Sequence, residues 1–374
     1  MPIRWLVLWA CLALAWTASS VESLSLLTYN VNGNGVTDWS TNSPQVRAIG
    51  REVSYLNPDL LTFQEIPANL TWQMTNFVRA FLPGYALATN SGTDGYIRSV
   101  ILSRFPITRS QSWLDRANLA AFGYNGPFTR DLFEAEISVP AFEKPLHVFT
   151  THLKSGSDST SQTRRVAEAR AISNFLVTVF QPASGSHPYL LSGDLNEDAD
   201  FPYVSGSPTF STLINPATGL RSTKPVNPVT GSALTWSTRA ANFTIRFDYV
   251  LPGGLLFSNI LSSQVFRTET VTNLLPPLLV HDSTNASDHA PVLMTFGSPY
   301  NTPFHLSSWG VSNQMVTLQW ESAPGRQYHL EASSNLSSGG WTWLATNLTA
   351  AGTVTTFLTN LSVWPAFFRV YRVP

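Results

Sequence analysis

The chain has 374 residues, enough for one large domain and a smaller one, and 12% of them are charged, which is about half the usual share. Its formal net charge of -1 excludes overall positive charge as a means of attracting nucleic acid. The single cysteine is Cys11, in an N-terminal segment that we expect to be removed. The mature protein is therefore predicted to hold no disulfide and no thiolate metal site.

The first 22 residues have the pattern of an export signal. Arg4 is the only charge before the apolar run from Trp5 to Trp16, and small residues follow at positions 18–20. The run is too short for a comfortable membrane span. We expect residues 1–22 to be cleaved and the mature protein to be secreted, either extracellular or periplasmic. An uncleaved anchor is the alternative, which the lack of a stop-transfer pattern disfavours.

Hydrophobic periodicity predicts alternating strands and helices over the next 275 or so residues. Helices are expected at Pro44–Leu56, Met74–Phe81 and Gln162–Val179, and Arg164 and Arg165 of the third are expected to face solvent or substrate. Strands are expected, in chain order, at Leu24–Val31, Leu60–Phe63, Tyr85–Thr89, Ser99–Leu102, Leu132–Val139, Leu146–Thr150, Leu190, Ile245–Leu251 and Pro291–Phe296. The long stretch from Asp198 to Thr244 is expected to be functional or locally disordered.

Composition changes after Ser298, and residues 299–303 are predicted to be a linker. Beyond it, runs such as Val316–Trp320 and Gln327–Glu331 alternate strictly between apolar and polar residues, as half-buried strands do. Residues 304–374 are therefore predicted to form a small antiparallel β-sandwich. The pattern resembles the immunoglobulin- or fibronectin-like modules of secreted bacterial enzymes. Trp341 and Trp343 could contact a surface or polymer, and packing within the module is the alternative.

Polar side chains stand at the ends of several of the predicted strands. Asp194 and Asn196 follow Leu190-Leu191, and in an extended backbone they would point the same way. A carboxylate beside a carboxamide can bind a cation, accept a proton and donate to an anion. A simple Asx turn is the alternative, since Asp and Asn favour turns. Comparable positions elsewhere in the chain are Asn30, Asn32, Glu65, His152, Asp248, Asp288 and His289.

These residues belong to motifs that occur in a fixed order. They are Tyr29-Asn30-Val31-Asn32-Gly33, Gln64-Glu65, Thr151-His152-Leu153-Lys154-Ser155, Gly193-Asp194-Leu195-Asn196, Asp248-Tyr249-Val250 and Ser287-Asp288-His289-Ala290-Pro291. From Leu24 to Phe296 the chain resembles the endonuclease/exonuclease/phosphatase family, which includes DNase I-like nucleases, sphingomyelinases and inositol-polyphosphate phosphatases. The resemblance implies an α+β fold for residues 23–298: a four-layer α/β/β/α sandwich of DNase I type.

The resemblance also implies a divalent-metal site. Glu65 is a hard oxygen ligand suited to Mg²⁺, with Mn²⁺ or Ca²⁺ as alternatives. Asn32 and Asp288 match the family's further metal-side positions, and Asn30 matches a residue that orients the carboxylates. Taken alone, Glu65 two residues before Pro67 is more typical of an acid that starts a helix.

The same resemblance implies catalytic roles. His289, oriented by Asp248, would activate water for attack on phosphorus, and Asp194 would position or deprotonate that water. His152 would be a general acid or a phosphate donor to the leaving oxygen. Asn196 would hold a nonbridging phosphate oxygen.

Arg130 matches a family position whose guanidinium grips phosphate through two parallel hydrogen bonds. Asp131 beside it departs from the family pattern. A salt bridge between helix and sheet is therefore an equal alternative for Arg130.

The resulting function prediction is a secreted phosphodiesterase that uses a divalent metal and acts on nucleic acid as an endonuclease or exonuclease. His152 and the Lys154-Ser155-Gly156 continuation resemble secreted bacterial nucleases. A phospholipid or inositol-phosphate substrate is the first alternative, with aromatic residues of Asp198–Thr244 or Trp113 as membrane contacts. A non-catalytic surface-binding protein is the second. No obligate protein partner is indicated.

Overall fold

The computed structural model describes residues 23–140, 142–201, 208–238, 242–299, 306–312, 315–322, 326–334, 340–360 and 367–372. The chain divides into two compact units, one ending at Pro299 and one beginning at Tyr300. The predicted export segment and residues 300–305, which include most of the predicted linker, lie outside the described residues. Within the described ranges, no helix has both the length and the apolar character needed to cross a membrane.

The first unit contains eleven named strands and seven α-helices among its described residues. The strands are β1 (Ser23–Asn30), β2 (Leu60–Pro67), β3 (Ala86–Thr89), β4 (Ile97–Ser103), β5 (Ile107–Trp113), β6 (Leu132–Ile137), β7 (Leu146–His152), β8 (Tyr189–Asp194), β9 (Asp248–Pro252), β10 (Ile260–Val265) and β11 (Val292–Gly297). The helices are α1 (Pro44–Leu56), α2 (Met74–Phe81), α3 (Ser159–Phe175), α4 (Gln181–Ser184), α5 (Pro208–Leu213), α6 (Gly254–Phe257) and α7 (Asp282–Ala286).

The strands form two sheets that pack face to face. The first sheet has the order β10-β11-β1-β2-β4-β3, and the second has the order β5-β6-β7-β8-β9. Leu26 and Ile101 of the first sheet share one apolar layer with Val148 and Leu190 of the second. Burying each such side chain contributes roughly 1.5–3 kcal/mol.

Helices cover the outer faces of both sheets. Val46 and Val53 of α1 join the apolar cluster on the first sheet, and Ile172 and Phe175 of α3 join the cluster on the second. The resulting order of layers is helix, sheet, sheet, helix, so the predicted four-layer sandwich is confirmed.

The third helix differs from the predicted Gln162–Val179 at both ends. It begins three residues earlier, because the Asp158 carboxylate accepts a backbone hydrogen bond from the first turn. A π turn at Leu176–Phe180 then changes the helical phase. Val179, predicted on the buried face, is consequently 47% exposed, and Phe180 is buried in its place.

Two strands of the structure were not predicted from hydrophobic periodicity. β5 and β10 lie at the outer edges of the second and first sheets, where a strand needs less apolar surface. Part of the predicted long loop has regular structure and packs into the core. Its described residues include α5, and Trp236 forms an isolated bridge with Ile245. Thr209 and Leu213 of α5 are fully buried.

The second unit is a small all-β module, as predicted. Its six strands are β12 (Leu306–Ser312), β13 (Met315–Glu321), β14 (Gln327–Ser333), β15 (Thr342–Thr349), β16 (Val354–Asn360) and β17 (Phe367–Arg372). They form two antiparallel sheets with the orders β12-β13-β16 and β15-β14-β17. Leu318, Trp320 and Leu330 lie in its core. Trp343 is 57% exposed, and the Trp341 ring lies 4.0 Å from the Arg369 guanidinium carbon.

A buried acid ties α1 to α7, the helix that leads to the Ser287-Asp288-His289 motif. The Glu52 carboxylate is fully buried and accepts hydrogen bonds from the hydroxyls of Tyr29 at 2.8 Å and Ser283 at 2.5 Å. Burial raises the pKa of Glu52 to about 7, with the two hydrogen bonds opposing and the neighbouring Asp282 adding to the rise.

We expect Glu52→Gln to flatten the pH dependence of the unfolding free energy. The pKa of Glu52 lies above its ordinary value of 4.5 in the folded protein. Between pH 4.5 and pH 7 the folded state therefore keeps a proton on Glu52 that the unfolded state has lost. Wild-type stability should therefore fall by about 3 kcal/mol as pH rises through this window. Urea denaturation at pH 4.5 and pH 8 measures the difference for both proteins. An equal loss in the variant would contradict this assignment.

Candidate active site

Strand direction brings the predicted polar residues to one edge of the sandwich. β1 and β2 run parallel and end in Asn30 and in the segment containing Glu65. β7 and β8 also run parallel and end in His152 and Asp194. β9 runs antiparallel to β8 and begins there with Asp248, which pairs with Asp194. Because parallel strands end on the same side of their sheet, these side chains converge.

Asn30 joins the carboxylates of the two sheets. Its side-chain nitrogen donates hydrogen bonds of 3.0 Å to Glu65 Oε1 and of 3.0 Å to Asp194 Oδ2. Its side-chain oxygen accepts the backbone N–H of Asn32 at 3.0 Å, and its carbonyl accepts the Ser287 hydroxyl at 2.8 Å. Asn30 is fully buried, so these bonds hold both carboxylates in fixed positions.

His289 forms a buried pair with Asp248. Its Nδ1 lies 2.8 Å from Asp248 Oδ2, and its Nε2 lies 3.7 Å from Asp194 Oδ2. Burial alone would lower the pKa of His289, but the charge and hydrogen bond of Asp248, with smaller effects of Asp194 and Asp288, raise it to about 10. Burial raises the pKa of Asp194 to about 7, with His289 opposing that rise. The Asp248 carboxylate therefore fixes the orientation and the Nδ1 proton of the imidazole.

His152 faces the same point from β7. Its Nε2 lies 3.4 Å from Asp194 Oδ2 and 3.9 Å from Glu65 Oε1. Burial, followed by the charges of Arg130 and His289, holds the pKa of His152 well below its ordinary value. A neutral ring can still donate one N–H, so His152 is better suited to donating a hydrogen bond than to carrying charge.

The backbone is distorted where these strands end. Glu65 lies at a bulge of β2 with φ of 62°, and Asn196 has φ of 51°. Asn196 does not continue an extended strand, since its N–H donates to Asp194 Oδ1 at 2.8 Å. The Asx turn considered for this pair is thus present, and the expected extended backbone is wrong. Such strained conformations of non-glycine residues cluster at functional sites.

Asn196 and Arg130 both contact the backbone that carries His152. The Asn196 side-chain nitrogen donates to the Leu153 carbonyl at 3.2 Å, and Arg130 Nη1 donates to the carbonyls of His152 and Leu153 at 2.9 and 3.2 Å. Arg130 Nη2 pairs with Asp94 Oδ2 at 2.7 Å. Arg130 therefore forms an ion pair, but its partner is an acid in a loop and not one on a helix. The predicted contacts of both side chains with phosphate stay predictions.

The donor set fits a divalent cation. Among the described residues, Glu65, His152 and Asp194 bring one potential ligand atom each to within 4.8 Å of one another, and so do Asp194, Asp248 and His289. The carboxylates of Glu65 and Asp194, from opposite sheets, lie side by side there. A bound cation would offset the energetic cost of burying a negative charge on Asp194. Asp288 belongs to neither group, and its Oδ2 accepts the Trp236 Nε1–H at 3.1 Å.

Three residues outside the predicted set support the site. The Ser287 hydroxyl accepts the His289 N–H at 3.0 Å, and the Thr235 hydroxyl accepts the N–H groups of Phe247 and Asp248 at 3.0 and 3.2 Å. Trp236 forms an isolated bridge with His289. Ser287 belongs to the motif that contains Asp288 and His289. Thr235 and Trp236 lie in a stretch without hydrophobic periodicity, and nothing in the sequence indicated their roles.

Two predicted surface residues prove to be structural. Arg165 is fully buried and its Nη1 donates to the carbonyls of Lys154 and Gly156 at 2.7 and 3.0 Å. It therefore does not face solvent or substrate, because it supports the loop after His152 from within. Trp113 is half-buried and donates to Glu134 at 2.7 Å, so it is not available as an exposed membrane contact.

Comparison with protein families identifies the class to which this fold and site belong. The model described as Endonuclease/Exonuclease/phosphatase family matches residues 27–289. The chain belongs to this family, whose name covers hydrolases of phosphoric esters. Curated proteins give no match to the chain.

Solved structures share the fold. An endonuclease/exonuclease/phosphatase from Beutenbergia cavernae is 15% identical with a TM-score of 0.51, covering 94% of this chain and 100% of that one. A family protein from Bacteroides thetaiotaomicron is 20% identical with a TM-score of 0.51, covering 73% and 97%. D. rerio TDP2, described as complexed with a single strand DNA product, is 18% identical with a TM-score of 0.50, covering 74% and 99%.

We expect Gly193→Ala to destabilise the first unit. A Cβ on Gly193 would lie 2.0 Å from the Thr151 carbonyl oxygen, and the residue has φ of +132°. The methyl group must push β7 and β8 apart next to His152 and Asp194, at a cost of about 3 kcal/mol.

The matched control is Gly231→Ala. Gly231 also has a positive φ, of +69°, but a Cβ there would meet nothing within 4 Å. This variant should lose only about 1–2 kcal/mol of unfolding free energy, which is the cost of the left-handed conformation for a residue with a Cβ. Urea denaturation of both variants measures the difference, and equal losses would refute the crowding at Thr151.

Proposed function

We propose that the protein is an exported phosphodiesterase that requires a divalent metal ion and hydrolyses P–O bonds of nucleic acid by in-line attack of water. One observation carries the proposal. Two imidazoles face one carboxylate oxygen, with His289 Nε2 at 3.7 Å and His152 Nε2 at 3.4 Å from Asp194 Oδ2. Glu65 is joined to the same carboxylate by Asn30. Groups for moving a proton and groups for stabilising negative charge therefore meet at one place.

His289 and Asp194 hold the attacking water in this scheme. Asp248 keeps the Nδ1 proton of His289 in place, so Nε2 is the atom that points toward Asp194 and the water. Asp194 accepts hydrogen bonds from Asn30 and from the Asn196 backbone, which leaves its Oδ2 oriented toward both imidazoles. The two residues together orient the water, and Asp194 takes its proton as the bond to phosphorus forms, because the raised pKa of His289 keeps that imidazole charged.

His152 and Asn196 act on the phosphate. His152 donates an N–H to the leaving oxygen as the P–O bond breaks, and the Asn196 carboxamide holds a nonbridging oxygen. Both are more than nine-tenths buried, so their hydrogen bonds act in a medium of low dielectric constant and are preorganised for the developing charge.

Glu65 would hold the metal ion, with Asn32 and Asp288 as the proposed further ligands. Mg²⁺ fits the oxygen-rich donor set, and Mn²⁺ or Ca²⁺ could replace it. When bound, the ion supplies electrostatic stabilisation of the charge on the phosphoryl oxygens.

Nucleic acid is favoured as the substrate by one comparison. D. rerio TDP2, which has the same fold, is described as complexed with a single strand DNA product. A phospholipid substrate is less well supported, because the Trp113 indole is hydrogen-bonded to Glu134 and cannot serve as a membrane contact. Export rests on the pattern of residues 1–22 alone. A binding role of the second unit toward a surface or polymer is compatible with the exposed Trp343.

We expect His289→Ala to lower kcat by about 10²–10⁴-fold, because the variant lacks the group that acts on the water. His281→Ala is the matched control, since this histidine is exposed and lies outside the cluster. Rates are measured on plasmid DNA, RNA, sphingomyelin and a chromogenic phosphodiester. EDTA should abolish each reaction that occurs, and Mg²⁺ or Mn²⁺ should restore it.

The substrate panel separates the parts of the proposal. Full activity of His289→Ala would refute the catalytic role of this histidine. Cleavage of sphingomyelin alone would refute nucleic acid as the substrate and keep the hydrolase. Binding without hydrolysis of any substrate, with either metal present, would favour a non-catalytic protein.

A further inference from the structure

A groove of about 530 Å³ lies next to the segment of β2 that carries Glu65, since its lining residue Arg98 pairs across the sheet with Ile66. One wall comes from the turn after β2 and the first turn of α2, and the other from the ends of β3 and β4. Its lining residues are Ala68, Thr71, Trp72, Thr75, Leu87, Thr89, Asn90 and Arg98. None of them has a role in the chemistry described above.

The groove is connected to the catalytic residues through the chain and through hydrogen bonds. Ala68 lies three residues after Glu65, and its N–H donates to the Tyr96 carbonyl at 2.8 Å. On the opposite wall, the Asn90 side-chain nitrogen donates to Asp131 at 2.7 Å. Asp131 directly follows Arg130, which supports the backbone of His152. Both walls of the groove are therefore joined directly to segments that carry or support residues of the cluster.

The wall formed by residues 68–75 carries an exposed aromatic side chain. Trp72 is 63% exposed, and Tyr96 next to the groove is 70% exposed. A flat exposed indole offers a surface on which a base can stack.

The rest of the lining is polar and carries positive charge. Arg98 is half-buried, with its Nη1 fixed by the carbonyls of Asn90 and Ser91 at 2.9 and 2.8 Å. Three threonines and Asn90 supply hydroxyl and amide groups. One aromatic plane among hydrogen-bonding groups and a guanidinium suits a base with its sugar and phosphate. An acyl chain would require an apolar lining instead.

We propose that this groove binds a nucleotide of a single-stranded substrate outside the scissile position, with its base stacked on Trp72 and its phosphate near Arg98. The proposal rests on the proposed nucleic-acid substrate. Stacking of a base on an aromatic side chain tolerates any base sequence, so the groove would provide affinity for unpaired strands without sequence preference.

The test measures binding of a fluorescein-labelled dT10 strand by fluorescence anisotropy with Mg²⁺ present. All proteins carry His289→Ala, so that the strand stays intact. Adding Trp72→Ala should raise Kd by about 10-fold, and Trp72→Phe should restore most of the affinity. Leu261→Ala is the matched control, because it removes a similarly exposed apolar side chain from β10, outside the groove. Thermal unfolding should be unchanged, since Trp72 is largely exposed.

A kinetic readout with His289 intact complements the binding assay. Trp72→Ala should raise KM for oligonucleotides by about 10-fold and leave kcat within about 2-fold. Hydrolysis of bis(p-nitrophenyl) phosphate, which is too short to reach the groove, should be unaffected.

The outcomes distinguish this proposal from the proposed function. Trp72-dependent binding of dT10 supports the groove even where no nucleic acid is cleaved, in which case the catalytic proposal fails alone. Equal Kd values for parent and Trp72→Ala, or no measurable binding by the parent, overturn the groove proposal. Loss of phosphatidylcholine vesicle binding in Trp72→Ala with unchanged dT10 binding also overturns it and assigns the surface to lipid.

Discussion

Asn30 lies at the end of β1, fully buried, and one side-chain nitrogen donates to a carboxylate of each sheet: Glu65 of the first and Asp194 of the second. Its oxygen and carbonyl fix Asn32 and Ser287 in turn. An unpartnered buried amide would cost about 1–3 kcal/mol, so this arrangement is stable only when both sheets are in register. The geometry of the cluster thus depends on the packing of the whole sandwich.

The layer beneath Asn30 extends the same constraint. Thr62 and Ser192 contact each other across the two sheets at 2.9 Å, and Gln64 donates to Thr150 at 3.0 Å. Polar pairs of this kind inside an otherwise apolar interface penalise any slip of one sheet against the other. Rigid sheets therefore position groups that the short loops alone could not hold.

Much of this could be predicted from the sequence, and the failures have physical causes. The strand-end motifs identified Asn30, Glu65, His152, Asp194, Asp248 and His289, which the fold brings together. A π turn is invisible to a helical pattern, which is why Val179 was misplaced. The burial of Arg165 depends on carbonyls of a loop whose path the sequence does not reveal. Trp236 reaches His289 only through tertiary packing of an irregular stretch.

The central claim is that one cluster holds both the cation and the phosphoryl group. A crystal structure with Mn²⁺ and phosphate, using the anomalous signal of manganese, tests it most directly. We expect a manganese peak bonded to Glu65, with the phosphate within hydrogen-bonding distance of His152, Asn196 and His289. A manganese or phosphate site elsewhere in the first unit, with the cluster unchanged from the apoprotein, would contradict the account.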